Sequence, residues 1–259
     1  MNQISIMFFW LLLLSANQYR CMANVLLDTF EFPQAVDEKI EPPATEPAFI
    51  KTLEQLRNYP AVHRYCNELK KSDPSGVYRM YIDLDETAVV YCDQKYEGGG
   101  WTVIQNRFDG SVNFDRAITE YADGFGWIDG GEFWMGLDLI HQLTFSAPHE
   151  IVILLKDIDG NSYNETADYF AVTKYNYDYR AKISGVSNGL MISNWDGTSF
   201  SRDTYWWTGA YGTINGRYFR ENYITQFPGT NRMQWQINGK NYQLTSSRVM
   251  IRRKSNHSQ

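Results

Sequence analysis

The sequence predicts an α+β domain built around an antiparallel sheet. Short helical segments are mixed among strand-like segments, and no unit repeats along the chain. From Gly185 to about Gly229 the residues are mostly Gly, Asn, Thr and aromatic types with little periodicity, which is typical of long loops. Strands and short helices in irregular order favour an α+β fold, because α/β folds alternate the two regularly.

The individual elements follow from apolar periodicity and turn residues. Residues 77–82 and 88–92 are predicted strands joined by an acidic turn, and residues 102–106 form a third strand before a turn at Asp109-Gly110-Ser111. Residues 115–122 predict a short helix ending at Gly124. The apolar run at 151–155 predicts a strand covered on both faces. The remaining predicted strands are 169–172, 233–237 and 249–251.

Composition excludes several classes of protein. The 259 residues include 24 basic and 30 acidic side chains, a formal net charge of -6. Such a balance argues against nucleic acid as the main partner, since phosphate binding depends on Lys and Arg. The chain has 3 cysteines and no Cys-x-x-Cys pair, which excludes a disulfide-dense miniprotein and an ordinary structural zinc site.

Residues 1–23 are predicted to be a signal peptide. The apolar run at 4–14 is interrupted only by Ser5 and is shorter than the roughly 20 residues that a membrane-spanning helix needs. Cleavage is expected after Ala23, with Ala16 as the alternative, and cleavage at Ala16 would leave Cys21 near the new terminus. No other stretch is long enough to span a membrane. The chain is therefore expected to be secreted.

Residues 24–60 are predicted to be a linker with one short amphipathic helix. Residues 33–47 are rich in proline and acidic side chains, which favours an extended spacer. The helix is too short for a coiled coil, so no strong oligomerisation segment is predicted. Its apolar face comprises Phe49, Ile50, Leu53 and Leu56. The globular domain is predicted over 61–254, with a tail at 255–259.

Two modifications are consistent with secretion. Asn164-Glu165-Thr166 and Asn256-His257-Ser258 match the acceptor pattern for N-glycosylation. Cys66 and Cys92 flank the first two strands, and we expect them to form a disulfide in an oxidising compartment. The alternative is two buried thiols. A bridge would close a loop of about 27 residues and stabilise the fold by roughly 3.5 kcal/mol on the chain-entropy estimate.

Several distinctive short motifs occur once each, in a defined order, through most of the chain. They include Gly98-Gly99-Gly100-Trp101, Gly131-Glu132-Phe133-Trp134-Met135-Gly136, Trp206-Trp207 and Ile214-Asn215-Gly216-Arg217-Tyr218-Phe219. In this order they resemble the signature of the fibrinogen C-terminal (fibrinogen-related) domain family over roughly residues 66–253. The resemblance implies a disulfide-stapled N-terminal subdomain, a central antiparallel sheet and a loop-rich C-terminal subdomain. It also places Trp101 and Trp134 in the core.

The resemblance further implies a ligand site in the C-terminal subdomain. Lectins of this family bind acetylated groups beside a calcium loop, and a second cysteine pair brackets their tryptophan pair. Here residues 194–203 correspond to that loop, and Asp196 and Asp203 are the candidate ligands of a degenerate calcium site, since Thr198 stands where a second carboxylate is expected. No other cofactor is predicted. No cysteine follows Cys92, and residues 208–211 replace the Cys-His step of the acetyl pocket.

We expect a secreted, non-catalytic recognition protein. The first hypothesis is a lectin that binds carbohydrate or acetylated surface groups, as the innate-immune lectins of the family do. Its candidate ligand-binding residues are the aromatic side chains Tyr205, Trp206, Trp207 and Tyr211; the alternative role for these rings is packing of the loop. The second hypothesis is an extracellular protein-binding ligand or a matrix or receptor interaction module. The replaced acetyl-pocket step favours the second hypothesis.

Two short patterns suggest other chemistry. Gly185-Val186-Ser187-Asn188-Gly189 matches a hydrolase nucleophile elbow, with His257 as the following histidine, but an elbow needs a strand before it and a helix after it. Residues 190–195 predict no helix, so we expect no enzyme. Residues 157–161 match the opening of an EF-hand loop, but Ser162 and Asp168 replace the required Gly and Glu. A hairpin turn is predicted there instead.

Overall fold

The computed structural model describes residues 63–188, 192–199, 208–209, 212–218, 232–237 and 239–254. The predicted signal peptide, linker and C-terminal tail lie outside the described residues, and so does Asn256. Among the described residues, no helix has both the length and the apolar character needed to cross a membrane.

The N-terminal part is a hairpin joined covalently to the segment before it. Strand β1 (Gly76–Tyr81) pairs with β2 (Thr87–Asp93) in antiparallel register, which confirms the predicted strands and the acidic turn. The 3-10 helix Cys66–Glu68 precedes the hairpin. A disulfide joins Cys66 to Cys92, as predicted, and both sulfur-bearing side chains are buried.

The centre of the domain is an antiparallel sheet organised around one long strand. The strands are β3 (Trp101–Arg107), β4 (Phe125–Gly126), β5 (Phe133–Trp134), β6 (His149–Asp157), β7 (Ser162–Val172), β8 (Ala181–Asn188) and β12 (Lys240–Arg253). The second half of β12 lies between β3 and β6, and β7 and β8 extend the sheet beyond β6. β2 pairs with β3 on the other side, and β5 pairs with both β3 and β4.

The first half of β12 belongs to the C-terminal part. It pairs with β11 (Gln234–Ile237), which pairs with β10 (Gly212–Thr213), and β10 pairs with β9 (Thr208–Gly209). A single strand therefore connects the central sheet to the small C-terminal sheet.

Within the described residues two α-helices pack on the sheet, and both differ from the sequence prediction. Helix α1 (Ile118–Asp123) begins three residues later than predicted, because Ala117 is extended and the Glu120 carboxylate accepts the Ala117 N–H at 3.0 Å. Gly124 follows its last residue, as predicted. Helix α2 (Leu137–Ser146) was not predicted, and its buried face comprises Leu137, Ile140, Leu143 and Thr144.

The core lies between this sheet and the elements that pack on it. Ile104, Val152, Ile153 and Met250 are fully buried on neighbouring strands, and Trp101 and Trp134 are buried as expected. Full burial of a large aliphatic side chain contributes roughly 1.5–3 kcal/mol. The observed architecture is thus the predicted α+β fold with a disulfide-stapled N-terminal unit and an antiparallel central sheet.

Candidate functional site

The predicted ligand-binding loop is only partly described. Asp196 is the single candidate ligand residue inside the described part of the chain, and it follows the 3-10 helix Ile192–Trp195. The other candidates lie outside the described residues: Tyr205, Trp206, Trp207, Tyr211 and Asp203. Their predicted roles in glycan and calcium binding therefore stay predictions.

Asp196 attaches its loop to the edge of the sheet. Its Oδ1 atom accepts the Ile183 N–H from β8 at 2.8 Å. Two backbone hydrogen bonds continue the contact, from Gly197 N to Ala181 O at 2.9 Å and from Ala181 N to Thr198 O at 3.0 Å. One of the two carboxylate oxygens of Asp196 is therefore already engaged in holding β8. Within the described ranges, no group of three or more His, Cys, Asp and Glu side chains is placed to hold a metal ion.

The buried side chain of Glu165 holds the segment before this loop against the sheet. It is buried in β7, and its two oxygens accept the Ile192 N–H and the Trp235 indole N–H, each at 2.7 Å. Trp235 contacts Trp195 edge-on, with ring centroids 5.8 Å apart. Hydrogen bonds to a buried carboxylate are among the stronger ones in proteins. Glu165 therefore connects β7 to β11 and to the loop that ends in Asp196.

The alternation of side chains along β7 explains why the carboxylate of Glu165 is buried. Successive side chains of a strand point to opposite faces, so Glu165 is buried while Asn164 on one side of it is exposed. The predicted glycosylation acceptor Asn164 thus lies on the outer face of β7, beside Leu154 of β6 in the register. Its exposure is compatible with a glycan, and its modification stays a prediction.

A second polar cluster holds residues 214–216 against β3. Gln105 is fully buried, and its side-chain amide donates to Ser247 Oγ at 2.7 Å and to Asn215 Oδ1 at 3.0 Å. The Arg107 guanidinium donates to the Gly216 carbonyl and lies 4.1 Å from the centre of the Phe114 ring. Burial lowers the pKa of Arg107, and the nearby carboxylate of Glu132 opposes that shift.

Glu132 shapes the turn beside this cluster. It is fully buried and accepts four backbone N–H groups, from Phe108, Asp109, Gly110 and Val112. Gly110 has φ +74°, and a Cβ atom there would lie 2.5 Å from the Tyr218 ring, so the predicted turn needs glycine at this position.

The geometry contradicts a nucleophile elbow. Ser187 lies within strand β8 and its hydroxyl is 2.7 Å from that of Thr166. Where no helix was predicted the chain forms a short 3-10 helix, Ile192–Trp195, but not the α-helix that an elbow requires. His257 lies outside the described residues. His141 donates from Nδ1 to the Val172 carbonyl at 2.7 Å, and burial lowers the pKa of His149 to about 4. Neither histidine is placed beside Ser187 by any described contact.

The EF-hand-like segment is a hairpin turn, as predicted. Asp157 Oδ1 accepts the backbone N–H groups of Asp159 and Asn161, and its Oδ2 accepts the Asn161 amide and the Tyr163 hydroxyl. Burial would raise the pKa of Asp157, but these hydrogen bonds outweigh it and lower the pKa below its usual value. Both oxygens serve the turn between β6 and β7.

Sequence reasoning missed the residues that organise this region. Glu165, Gln105, Arg107 and Glu132 carry its hydrogen bonds, yet each occurs inside an ordinary strand or loop sequence. Glu132 lies in the noted motif Gly131-Glu132-Phe133-Trp134 and Glu165 in the glycosylation triplet Asn164-Glu165-Thr166, but neither pattern indicates a buried, hydrogen-bonded carboxylate. The signal for the others is a polar residue at an inward position of a strand, which becomes readable only when the strand register is known.

Comparison with known proteins agrees with this architecture. The family described as fibrinogen beta and gamma chains, C-terminal globular domain, matches residues 62–202. Angiopoietin-2 of Mus musculus is 34% identical over 214 residues, covering 73% of this chain and 42% of that protein. Angiopoietin-4 of Bos taurus is 30% identical over 247 residues, covering 85% of this chain and 47% of that protein. The chain therefore spans less than half the length of these curated relatives.

Solved structures give the same result. The fibrinogen-like globe domain of human ANGPTL6 superimposes with a TM-score of 0.68 at 30% identity, covering 76% of this chain and 98% of that domain. The corresponding domain of human ANGPTL2 gives a TM-score of 0.67 at 26% identity. The sequence motifs, the disulfide, the sheet topology and these matches agree. The chain belongs to the fibrinogen C-terminal globular domain family.

Proposed function

We propose that this chain is a secreted, non-catalytic ligand that binds an extracellular protein. The observation that carries the proposal is the similarity of its fibrinogen-like domain to those of angiopoietins and angiopoietin-like proteins. This similarity favours the protein-binding hypothesis over the lectin hypothesis, and so reverses the order in which the sequence alone ranked them.

The candidate lectin site lends the lectin hypothesis little support. No cysteine follows Cys92, so the second bridge of the family's lectins has no counterpart in the sequence. Asp196 directs one oxygen to the Ile183 N–H, which leaves fewer oxygens for a cation that needs six to eight ligands. Protein recognition requires neither feature.

Secretion and the lack of catalysis rest on separate observations. The apolar run at 4–14 and the Cys66–Cys92 disulfide are both expected of a protein that passes through an oxidising compartment. Ser187 lies near the end of strand β8, its hydroxyl is within hydrogen-bond distance of that of Thr166, and no histidine of the described residues contacts it, so no described side chain serves as the base that a serine nucleophile requires.

Binding to whole cells tests the proposal. The labelled, purified secreted chain is titrated onto a panel of cultured cell lines that are untreated, trypsin-treated or stripped with glycosidases, each with calcium or with a chelator. We expect saturable binding that trypsin abolishes and that glycosidases and the chelator leave unchanged. Binding that glycosidases or the chelator abolish would contradict the proposal.

A glycan array with the same protein separates the two hypotheses further. The matched variants are Trp207→Ala in the candidate lectin loop and Leu84→Ser at the tip of the β1–β2 turn. Calcium-dependent glycan binding that is lost in Trp207→Ala and kept in Leu84→Ser would establish the lectin hypothesis instead.

A further inference from the structure

A groove of about 1200 Å³ crosses the central sheet along β3, β12, β6 and β7. Directly paired residues of neighbouring strands point to the same face of a sheet, and so do residues two apart on one strand. The register therefore places two rows of lining side chains on one face. The first row is Asn106, Arg248, Leu154 and Asn164, and the second row is Ser246, Lys156 and Ser162. We call the space above these seven side chains the groove.

The groove combines apolar surface with hydrogen-bond donors. Leu154 is half-buried in the first row, and Val186 and Phe108, which also line the groove, are 37% and 43% exposed. The exposed side chain of Lys156 and the half-exposed side chain of Arg248 supply N–H donors. N-acetylglucosamine has an apolar face of C–H groups and a rim of hydroxyl and acetamide groups. Its chemistry therefore matches that of the groove.

The acceptor of a glycosylation triplet is part of the groove itself. Asn164 is exposed, and its side chain bonds to the hydroxyl of Tyr96, which also lines the groove. Burial and the neighbouring Glu97 raise the pKa of Tyr96, and the bond with Asn164 opposes that shift. In the register, Leu154 lies one strand away from Asn164, roughly 5 Å, and Arg248 lies two strands away, roughly 10 Å. A sugar on Asn164 would therefore begin beside Tyr96 and Leu154.

We propose that the groove holds the chain's own N-glycan, attached to Asn164, and that its first two N-acetylglucosamine residues lie over Leu154 towards Arg248. The inference rests on the proposed secretion, because this modification is made in the secretory pathway. A sugar tethered through one side chain has an effective concentration on the order of millimolar, so weak contacts suffice to keep the groove occupied. The groove is then covered by the chain itself, and the extracellular partner is expected to bind elsewhere.

The covalent step is the ordinary transfer from a lipid-linked oligosaccharide donor. Nδ2 of Asn164 forms a bond to C1 of the first N-acetylglucosamine, and the bond from C1 to the oxygen of the donor's diphosphate breaks. The lipid diphosphate leaves with the electron pair, and one amide proton passes to a base of the host transferase. The linked Asn164 keeps one N–H and its Oδ1 atom, so it retains the groups needed to bond to Tyr96.

The rate of sugar release from the folded protein tests this seating. The full chain, secreted from eukaryotic cells, is digested with peptide N-glycosidase without denaturant, and release at Asn164 is followed by mass spectrometry. Leu154→Ser removes apolar surface from the groove. Ile158→Ser is the matched control, since Ile158 is 45% exposed in the β6–β7 turn and does not line the groove. We expect release about tenfold faster from Leu154→Ser than from the wild type or Ile158→Ser, because the enzyme acts on the unseated fraction.

A second measurement separates seating from a change in the fold. Leu154→Ser should lower Tm more in the glycosylated protein than in the Asn164→Gln background, because only the glycosylated protein loses the sugar contact. After unfolding, the glycosylated proteins should release the sugar at equal rates. If Leu154→Ser is not secreted, Lys156→Ala at an exposed position of the same face gives the comparison, with a smaller rise in release rate.

The outcomes distinguish this inference from the proposed function. Equal release rates from the folded wild type and the groove variant overturn the inference, and so does a secreted chain without a glycan at Asn164; either result leaves the proposed function standing. A chain that stays inside the cell contradicts both. If the wild type binds no cell-surface protein, the proposed function fails and the release rates still decide the groove. Asn164→Gln should bind cells as the wild type does, and weaker binding would contradict a groove that is only covered.

Discussion

Replacing Glu132 by glutamine should destabilise the domain strongly although the two side chains have almost the same size. Glu132 Oε1 accepts the N–H groups of Phe108, Asp109 and Gly110 at 2.7–2.9 Å, and Oε2 accepts that of Val112 at 3.2 Å. Glutamine has one acceptor oxygen, so it retains at most the first three bonds. Its amide then directs a donor at the buried Val112 N–H.

The expected magnitude follows from these contacts. A hydrogen bond to a charged group contributes about 1.5–3 kcal/mol, and the three retained bonds lose their ionic character. The substitution also removes the negative charge near the buried Arg107. Burial already disfavours the charged form of that guanidinium, and the Glu132 carboxylate opposes this effect. We expect a loss of about 3 kcal/mol in the free energy of unfolding, equivalent to a fall of about 6–12 °C in Tm for a domain of this size.

Calorimetry of the secreted protein at neutral pH measures this change. The matched control is Glu120→Gln, since the Glu120 side chain is half-exposed, accepts the backbone N–H of Ala117 and pairs with Arg116, which precedes α1. It should lower Tm far less. A Glu132→Gln protein whose Tm lies within about 2 °C of the wild-type value would refute the reasoning, because the loop would then not depend on the carboxylate.

Three further predictions concern other parts of the molecule. Burial lowers the pKa of His149 to about 4 in the folded state. The stability that the neutral imidazole contributes is therefore complete above the unfolded pKa of 6.5 and is lost as pH falls towards 4. Tm measured between pH 7 and pH 4.5 should fall more steeply in the wild type than in His149→Gln, and parallel curves would contradict this. Replacing Cys66 and Cys92 together by alanine should cost roughly 3.5 kcal/mol in urea unfolding, and a free thiol located at Cys66 or Cys92 by non-reducing peptide mapping would disprove the native bridge. Asn164→Gln should abolish the mass decrease that peptide N-glycosidase produces in a peptide spanning β7, and a wild-type peptide of unmodified mass would show that the site is unused.

Much of the fold could be predicted because its signals are local. The strands β1, β2, β3 and β6 follow from apolar runs bounded by turn residues, and Gly124 marks the end of α1. Helix α2 was missed although Leu137, Ile140 and Thr144 recur at helical spacing, because its residues were interpreted only as a family motif. Strand β8 carries small and polar residues such as Gly185 and Ser187, so its apolar alternation is too short to identify a strand.

The candidate site was less predictable, because its contacts join distant parts of the chain. Glu165 bonds to Trp235 across 70 positions, and Gln105 bonds to Asn215 across 110. The sequence of a strand does not distinguish a polar side chain that is buried with hydrogen-bond partners from one that is exposed to solvent. Its role depends on the strand register and on the elements that pack against it.

The sequence by itself indicated the family, the expected disulfide and the positions of several turns. These features depend on residue type, local spacing and an ordered set of motifs. Only the tertiary structure decided that Glu165 is buried while Asn164 is exposed, and that Asp196 holds β8. The physical reason is that burial and charge pairing are properties of neighbours in space, and the folded chain selects those neighbours.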